Sequence, residues 1–324
     1  MTCFKPIEGY LVKFIDETGC RKRRFVFSRG SIPASAFSVE HSQVPCGQCI
    51  GCRIDKSKEW ALRCVHEASL WHDNCFITLT YNPEHYPVDG SLDYRDFQLF
   101  MKRLRKKFKG KDAQAKNGRV EFPIRFYACG EYGELLNRPH WHACLFNFDF
   151  DDKYLWSVNN GVCLYRSPSL EKLWSDEYGQ PLGFCTIGDV TFESAAYVAR
   201  YICKKITGEK AIDHYADPIT GVIRTPEFTR MSNREGIGRR WFETYYKDVY
   251  PSDFVTYKNK KFKPPRYYDN IYDTFDPHGL EEVKKRRAER AHASPDNTPE
   301  RLEAREECQL ARFRKLKRKI ENES

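Results

Sequence analysis

No run of 18 apolar residues occurs in the 324-residue chain, which excludes a transmembrane helix. The opening Met1-Thr2-Cys3-Phe4-Lys5-Pro6 lacks the apolar core of a secretory signal, so a soluble protein that is not exported is expected. No Walker-type phosphate loop is present, which excludes a nucleotide-driven motor of that kind within these residues. No internal repeat divides the chain. What is present is a basic, aromatic-rich composition: 54 Lys and Arg against 45 Asp and Glu, a net charge of +9, and 15% aromatics. So many aromatics argue against wholesale disorder, and the charge suggests a polyanionic partner. The length suits one large domain or two smaller ones. Thirteen cysteines are many and odd in number. In a cytosolic chain they are expected to be buried thiols or metal ligands rather than disulfides.

Along the chain, four consecutive segments are expected. Residues 1–72 hold short strands, a basic cluster Arg21-Lys22-Arg23-Arg24, a cysteine knuckle and a helix from about Asp55 to Trp71. Residues 73–208 form the core. There, Phe76-Ile-Thr-Leu-Thr-Tyr81 reads as a strand, Tyr94 to Phe108 as an amphipathic helix, Ile124–Tyr132 and Pro139–Phe148 as a strand pair, Phe184–Val190 as another strand, and Phe192–Lys205 as a helix. Residues 209–279 read as a loop-rich, basic and aromatic extension. Residues 280–324 read as a charged tail, helical or disordered, split at Ser294-Pro295 and Thr298-Pro299. The order of elements predicts an α+β fold, a mostly antiparallel sheet with helices on one face.

Three clusters carry chemistry. In His140-Trp141-His142, strand alternation turns both imidazoles one way and Trp141 the other. Two such imidazoles chelate a divalent ion when a third ligand is near. Glu131 on the preceding strand is the first choice, and Glu134 in the loop the second. Alone, a His-x-His pair is more often a surface coincidence. Tyr197 and Tyr201 are four residues apart on the expected helix, so their hydroxyls share a face. Arg200 and Lys204 each lie three residues beyond a tyrosine and are candidate charge stabilisers. Core packing is the bland alternative for both tyrosines. Cys46-Gly-Gln-Cys49-Ile-Gly-Cys52 has knuckle spacing for structural zinc. Cys3 is the preferred fourth ligand, with Cys20 or His41 in reserve. An iron–sulfur cluster is the rival, but the Cys-Pro of the bacterial ferredoxin run is missing.

Together these blocks give the chain a resemblance. Cys3, Cys46-Cys49-Cys52 with Arg53, Phe76–Tyr81, Phe97-Gln-Leu-Phe100, Arg125-Phe-Tyr-Ala-Cys-Gly-Glu-Tyr-Gly133, Arg138-Pro-His-Trp-His142, Tyr197-Val-Ala-Arg-Tyr201, Gly236-Ile-Gly238 with Trp241-Phe242, and Pro265-Arg-Tyr-Tyr268 carry it. Over roughly residues 1 to 270 the chain resembles the replication initiators of gokushovirus-like microviruses, within the HUH endonuclease superfamily. The resemblance implies an HUH, ferredoxin-like core in which His140 and His142 hold Mg²⁺ or Mn²⁺ and Tyr197 and Tyr201 attack DNA. Arg200 departs from the family pattern, which often has Lys there. It implies nicking and closing of an origin strand, with single-stranded and origin DNA, a host helicase and a host polymerase as partners. The place of action would be the cytoplasm of the bacterial host, with no membrane partner. Trp141, Tyr132 and Tyr127, where they lie on the open face, are candidates to stack on bases. Basic clusters at 21–24, 102–107 and 258–266 are candidates to contact phosphates. Two alternatives share these features: an HUH-type transposase or relaxase, and a non-catalytic zinc-containing nucleic-acid-binding regulator.

Overall fold

A computed structural model describes residues 3–108, 123–133, 136–159, 161–204, 210–217 and 221–314; the side chains of 159, 200–204, 210, 292 and 314 lie outside that description. In chain order the elements are β1 (Ile7–Ile15), β2 (Arg21–Val26), β3 (Ala36–Val44), α1 (Ile50–Ala68), β4 (Asn74–Thr80), α2 (Tyr94–Lys107), β5 (Arg125–Tyr132) and β6 (Pro139–Phe146). Next come β7 (Tyr154–Asn159), β8 (Val162–Arg166), α3 (Pro168–Leu173), β9 (Cys185–Gly188), α4 (Phe192–Lys204) and α5 (Lys210–Tyr215). β10 (Phe228–Met231), α6 (Arg239–Val249), β11 (Val255–Tyr257), β12 (Lys260–Phe262), α7 (Arg266–Phe275), α8 (Pro277–His292) and α9 (Pro299–Arg314) follow. Among the described residues, no helix is long and apolar enough to cross a membrane.

Two compact units result, one from residues 1–55 with 285–324, the other from residues 56–284. The grouping differs from four consecutive segments because the charged tail joins the N-terminal residues. In the first unit, β1 pairs antiparallel with both β2 and β3. Leu302 of α9 is buried with Cys3, Phe4 and Cys49, and Lys5 reaches Glu306 at 3.2 Å. Pro277 and Pro299 stand first in α8 and α9, where a missing N–H costs nothing. α1 starts at Ile50 rather than near Asp55 because the knuckle itself caps it. The Cys49 sulfur accepts from the Cys52 backbone N–H, satisfying a donor of the first turn that has no helical partner.

In the second unit, seven strands run in the order β10-β5-β6-β4-β9-β8-β7, and every pairing is antiparallel. The helices do not keep to one face. Ile77, Leu79, Trp141, Ala143 and Leu145 meet Phe97, Phe100 and Leu104 of α2, and Leu170 and Leu173 of α3, on one side. On the other side, Trp60 of α1 stacks on Tyr127 at 4.6 Å, and the ring of Tyr197 in α4 sits 5.0 Å from that of His142. The sequence explains this. β5 is buried at all eight positions and β6 at all but His140, and a sheet apolar on both faces must be covered on both.

The stretch after residue 208 also differs from expectation. β10 extends the main sheet beside β5, and α6 and α7 bury Phe242, Val249, Tyr268, Ile271 and Tyr272 in a second core with Leu62 of α1. Aromatic residues have weak helix propensity, and here tertiary packing overrides it. His66 of α1 is part of this contact. Its ring stacks on Trp241 at 3.5 Å, and its Nδ1 lies 2.8 Å from the Tyr268 hydroxyl.

Burial pushes the His66 pKa down from 6.5 to about 3. The fold therefore holds His66 neutral while the unfolded chain protonates it, so acid favours unfolding. Its contribution is complete above pH 6.5 and is lost towards pH 3, at up to about 1.4 kcal/mol per pH unit. Urea unfolding of wild type and His66→Gln at pH 7 and pH 5 checks this. The stability gap between them should narrow at pH 5; a gap of constant size would contradict it.

Candidate active site

The β5–β6 register sets Glu131 opposite His140 and Cys129 opposite His142. Alternation then puts Glu131, His140 and His142 on one face of the sheet. Glu131 Oε1 lies 2.7 Å from His140 Nε2 and 2.9 Å from His142 Nε2. The other ring nitrogens are occupied. His140 Nδ1 is 3.1 Å from the Arg138 carbonyl oxygen, and His142 Nδ1 is 2.9 Å from Thr78 Oγ1. A backbone carbonyl only accepts, so His140 carries its proton on Nδ1 and turns Nε2 to the carboxylate. Two acceptors on one imidazole require positive charge at Nε2, as a second proton or as a metal ion. Burial favours the neutral acid at Glu131, but the facing His140 and His142 rings outweigh it and hold the carboxyl at about 2.

These donors fit a divalent ion. Their ligand atoms all lie within 4.8 Å of one another. An ion bound at about 2.1 Å by two ligands at right angles sets those ligands about 3.0 Å apart, and the observed separations are close to that. Thr78 and the Arg138 carbonyl take the outer positions that orient ligating histidines. Thr78 was not singled out in the sequence. Alternation places it on one face of its strand with Thr80, but only the β4–β6 pairing reveals that this face meets His142.

α4 brings Tyr197 to the same place. Its buried hydroxyl donates to Glu131 Oε1 at 3.5 Å, and its ring meets the His142 ring edge to face. Tyr201, Arg200 and Lys204 occupy the last turn of α4, with side chains outside the described residues. Glu134 lies wholly outside them. The three aromatics offered for base stacking do not serve there. Trp141 and Tyr127 are buried in the helix-covered faces, and Tyr132 is buried with its hydroxyl donating to the Thr225 carbonyl. In the 102–107 cluster, Arg103 donates to the Leu173 carbonyl and Arg105 to that of Ile124. Those guanidinium groups brace α2 on the face opposite the histidines.

In the first unit, Cys3, Cys46, Cys49 and Cys52 bring four sulfurs within 4.8 Å of one another. Cys3 Sγ is 3.6 Å from Cys46 Sγ and 3.9 Å from Cys49 Sγ. Tetrahedral zinc with bonds of about 2.3 Å separates its sulfurs by about 3.8 Å, so the set fits. Backbone N–H groups of Phe4 and Cys46 donate to Cys49 and Cys3. At Cys49 burial raises the pKa, yet the donors from Cys52 and Phe4 prevail and bring the thiol to about 7. Burial raises the pKa of Cys3 and Cys52. Cys20 is exposed between β1 and β2, and His41 lies beside Tyr10 on β3, so neither joins. Among the described residues these are the two groups of convergent metal-type donors.

An antiparallel sheet that presents two histidines and a carboxylate beside a helix tyrosine defines a class of site, and the comparisons assign the chain within it. The profile of the replication-associated protein ORF2 family matches residues 74–206, the span that contains all of these groups. The replication-associated protein VP4 of Bdellovibrio phage phiMH2K is 37% identical over 230 residues, 70% of this chain and 67% of the relative. The replication-associated protein ORF2 of Spiroplasma virus 4 is 32% identical over 282 residues, covering 83% and 79%. The replication-associated protein ORF4 of Chlamydia phage 1 is 25% identical over 237 residues, covering 70% and 53%. No solved structure matches. The chain belongs to the replication-associated proteins of microviruses.

Thr78→Val keeps the shape of the side chain and removes the oxygen facing His142. Mn²⁺ affinity, followed through the electron paramagnetic resonance of the free ion, should fall about 10- to 100-fold. Unchanged affinity would show that Thr78 does not orient the ring.

Proposed function

We propose that the protein initiates rolling-circle DNA replication as an HUH-type endonuclease that nicks and recloses an origin strand. One observation carries the reading: the Tyr197 hydroxyl lies within hydrogen-bonding range of the carboxylate shared by His140 and His142. Membership of the replication-associated family supports the biological setting.

The phenol oxygen of Tyr197 attacks the scissile phosphorus, the new O–P bond replaces the P–O3′ bond, and the phenol proton passes on balance to the departing 3′ oxygen. The product is a 5′-phosphotyrosine with a free 3′-hydroxyl. One phosphodiester is exchanged for another, so the bond energy is retained for reclosure, and the 3′-hydroxyl serves as a primer. Mg²⁺ or Mn²⁺ held by Glu131, His140 and His142 supplies Lewis-acid polarisation of the phosphate. Glu131 orients the Tyr197 hydroxyl, and the helices over β5 and β6 keep water from it. Tyr201 stands one turn along α4, about 5.4 Å away along the axis, and serves as the second nucleophile when the regenerated origin is cut. Arg200 and Lys204 on that turn stabilise developing charge. Host helicase and polymerase extend the primer in the host cell. Zn²⁺ at Cys3, Cys46, Cys49 and Cys52 is structural, because four ligands leave no place for substrate.

Incubation with circular single-stranded DNA and Mn²⁺ should give a covalent protein–DNA adduct. Tyr197→Phe and Tyr201→Phe should each still form adduct, and the double variant none. Loss of all adduct in Tyr197→Phe alone would make this a single-tyrosine enzyme. The paired His140→Ala and His142→Ala change should abolish nicking with the fold intact, and full nicking would refute the metal assignment.

Zinc analysis of purified protein should return about one equivalent per chain. Cys3→Ser should lower that figure and loosen the N-terminal residues to proteolysis. A folded, metal-free preparation would exclude the structural zinc.

A further inference from the structure

The sheet face that carries Glu131, His140 and His142 continues sideways into two exposed aromatic rings that the proposed chemistry does not use. Thr78 pairs with His142 and Thr80 with His140 on one side, and Thr78 pairs with Thr186 of β9 on the other. The Thr80 backbone N–H donates to the Phe184 carbonyl, and the Phe184 N–H to Thr80 Oγ1. Cys185 and Ile187 point into the core under α2, so Phe184 and Thr186 face the histidine side. On β8, Tyr165 opposes Ile187 and packs against the same core. Arg166 therefore faces the histidine side too, with Trp156 of β7 beside it. The Trp156 and Phe184 ring centroids are 6.2 Å apart. The Arg166 guanidinium lies 4.6 Å from the first centroid and 4.9 Å from the second.

Both rings are open to solvent, Trp156 at 51% and Phe184 at 42%. Thr78, Thr80 and Thr186, which lie between them and the histidines, are half-buried. α4 makes its contacts with β10, β5 and β6, at the opposite end of the sheet. Strands are spaced about 4.8 Å apart, so β9 lies about 10 Å and β7 about 19 Å from the histidine strand. Gly183 fixes the position of Phe184, since a Cβ there would fall 2.2 Å from the Thr80 carbonyl oxygen.

The chemistry of the cluster selects its ligand. Arg166 is paired with Glu171 at 2.6 Å, so its charge is balanced and its plane is held against the rings. Flat apolar faces beside a compensated guanidinium suit an uncharged heterocycle better than a phosphate. We propose that Trp156 and Phe184, braced by Arg166, form a base-stacking platform for the single strand that runs away from the Glu131–His140–His142 site. The proposal rests on the nicking reading for its direction along the strand. A second copy of the chain is the competing occupant, because β7 is an edge strand with Leu155 and Val158 also exposed.

The test uses the full-length chain and fluorescein-labelled oligothymidylate, without added divalent ion, read by anisotropy. Trp156→Ala combined with Phe184→Ala should weaken binding roughly tenfold or more, and Trp156→Tyr should retain most of it. The slope of log affinity against log salt should stay the same, since phosphate contacts are kept. Iodouracil-substituted strands should photo-crosslink to wild type at Trp156 or Phe184, a readout independent of how the variants fold. Unchanged affinity in the folded double variant, or crosslinks only elsewhere, overturns the platform. So does a variant that binds DNA normally but loses self-association in sedimentation, which gives the face to a second copy. Under saturating circular single-stranded DNA with Mn²⁺, the double variant should still form the tyrosine adduct. If wild type crosslinks at the platform yet never forms adduct, the nicking reading fails and the platform stands.

Discussion

The antiparallel register between β5 and β6 is the constraint on which the site depends. It sets Glu131 beside His140 and, through alternation, brings His142 to the same carboxylate oxygen. A slip of one residue would turn Trp141 to the site and send both histidines into the core. Trp141 prevents that slip. It is almost wholly buried, packs 5.2 Å from Phe97, and donates its indole N–H to the Tyr81 hydroxyl. Gly130 directly opposite makes room, since a Cβ there would approach the indole at 3.0 Å. The residue between the two ligands is thus an anchor, and the core on one face of the sheet determines the geometry on the other.

A buried ion pair steadies the far end of β5. Arg125 Nη1 meets Glu67 Oε1 at 2.9 Å with both side chains almost fully buried. Glu67 also accepts from the Gly238 backbone N–H at 2.7 Å and from the Trp71 indole at 3.3 Å. Such a pair gains little net stability over an apolar replacement, but removing one partner strands a buried charge. Gly238 stands at φ 78°, and a Cβ there would meet the Tyr268 hydroxyl at 2.7 Å. Motifs far apart in the sequence, at Arg125, Gly236–Gly238, Trp241 and Tyr268, therefore meet at one junction on α1. None of them touches the histidines, and their role is to hold the sheet that presents them.

Much of the site was legible because its signals are local. His140-Trp141-His142 states its own alternation, and Glu131 precedes the return of a strand pair. The seven-residue knuckle states a metal geometry without reference to the rest of the chain. Long-range partners carried less signal. Cys3 was one choice among three for the fourth sulfur, and Thr78 gave no sign of facing His142. The hairpin of β7 and β8 was not anticipated, because its exposed apolar residues do not follow a clean two-residue period. The aromatics of α6 and α7 concealed their helices for a different reason: their helical order comes from packing on Leu62 and on one another.

By itself the sequence determined the chemistry available: which side chains are nucleophiles, which are ligands, and which share a face of a strand or helix. Those properties follow from side-chain type and backbone period, and both are local. Tertiary structure alone decided which faces would be covered. Tyr127, Tyr132 and Trp141 read as candidates for contact with bases, yet they are buried because helices close both sides of the sheet. Trp156 and Phe184 stayed outside because β7 lies at the sheet edge, beyond the strands that α4 contacts. Exposure belongs to the whole arrangement of layers, and no residue's own chemistry specifies it.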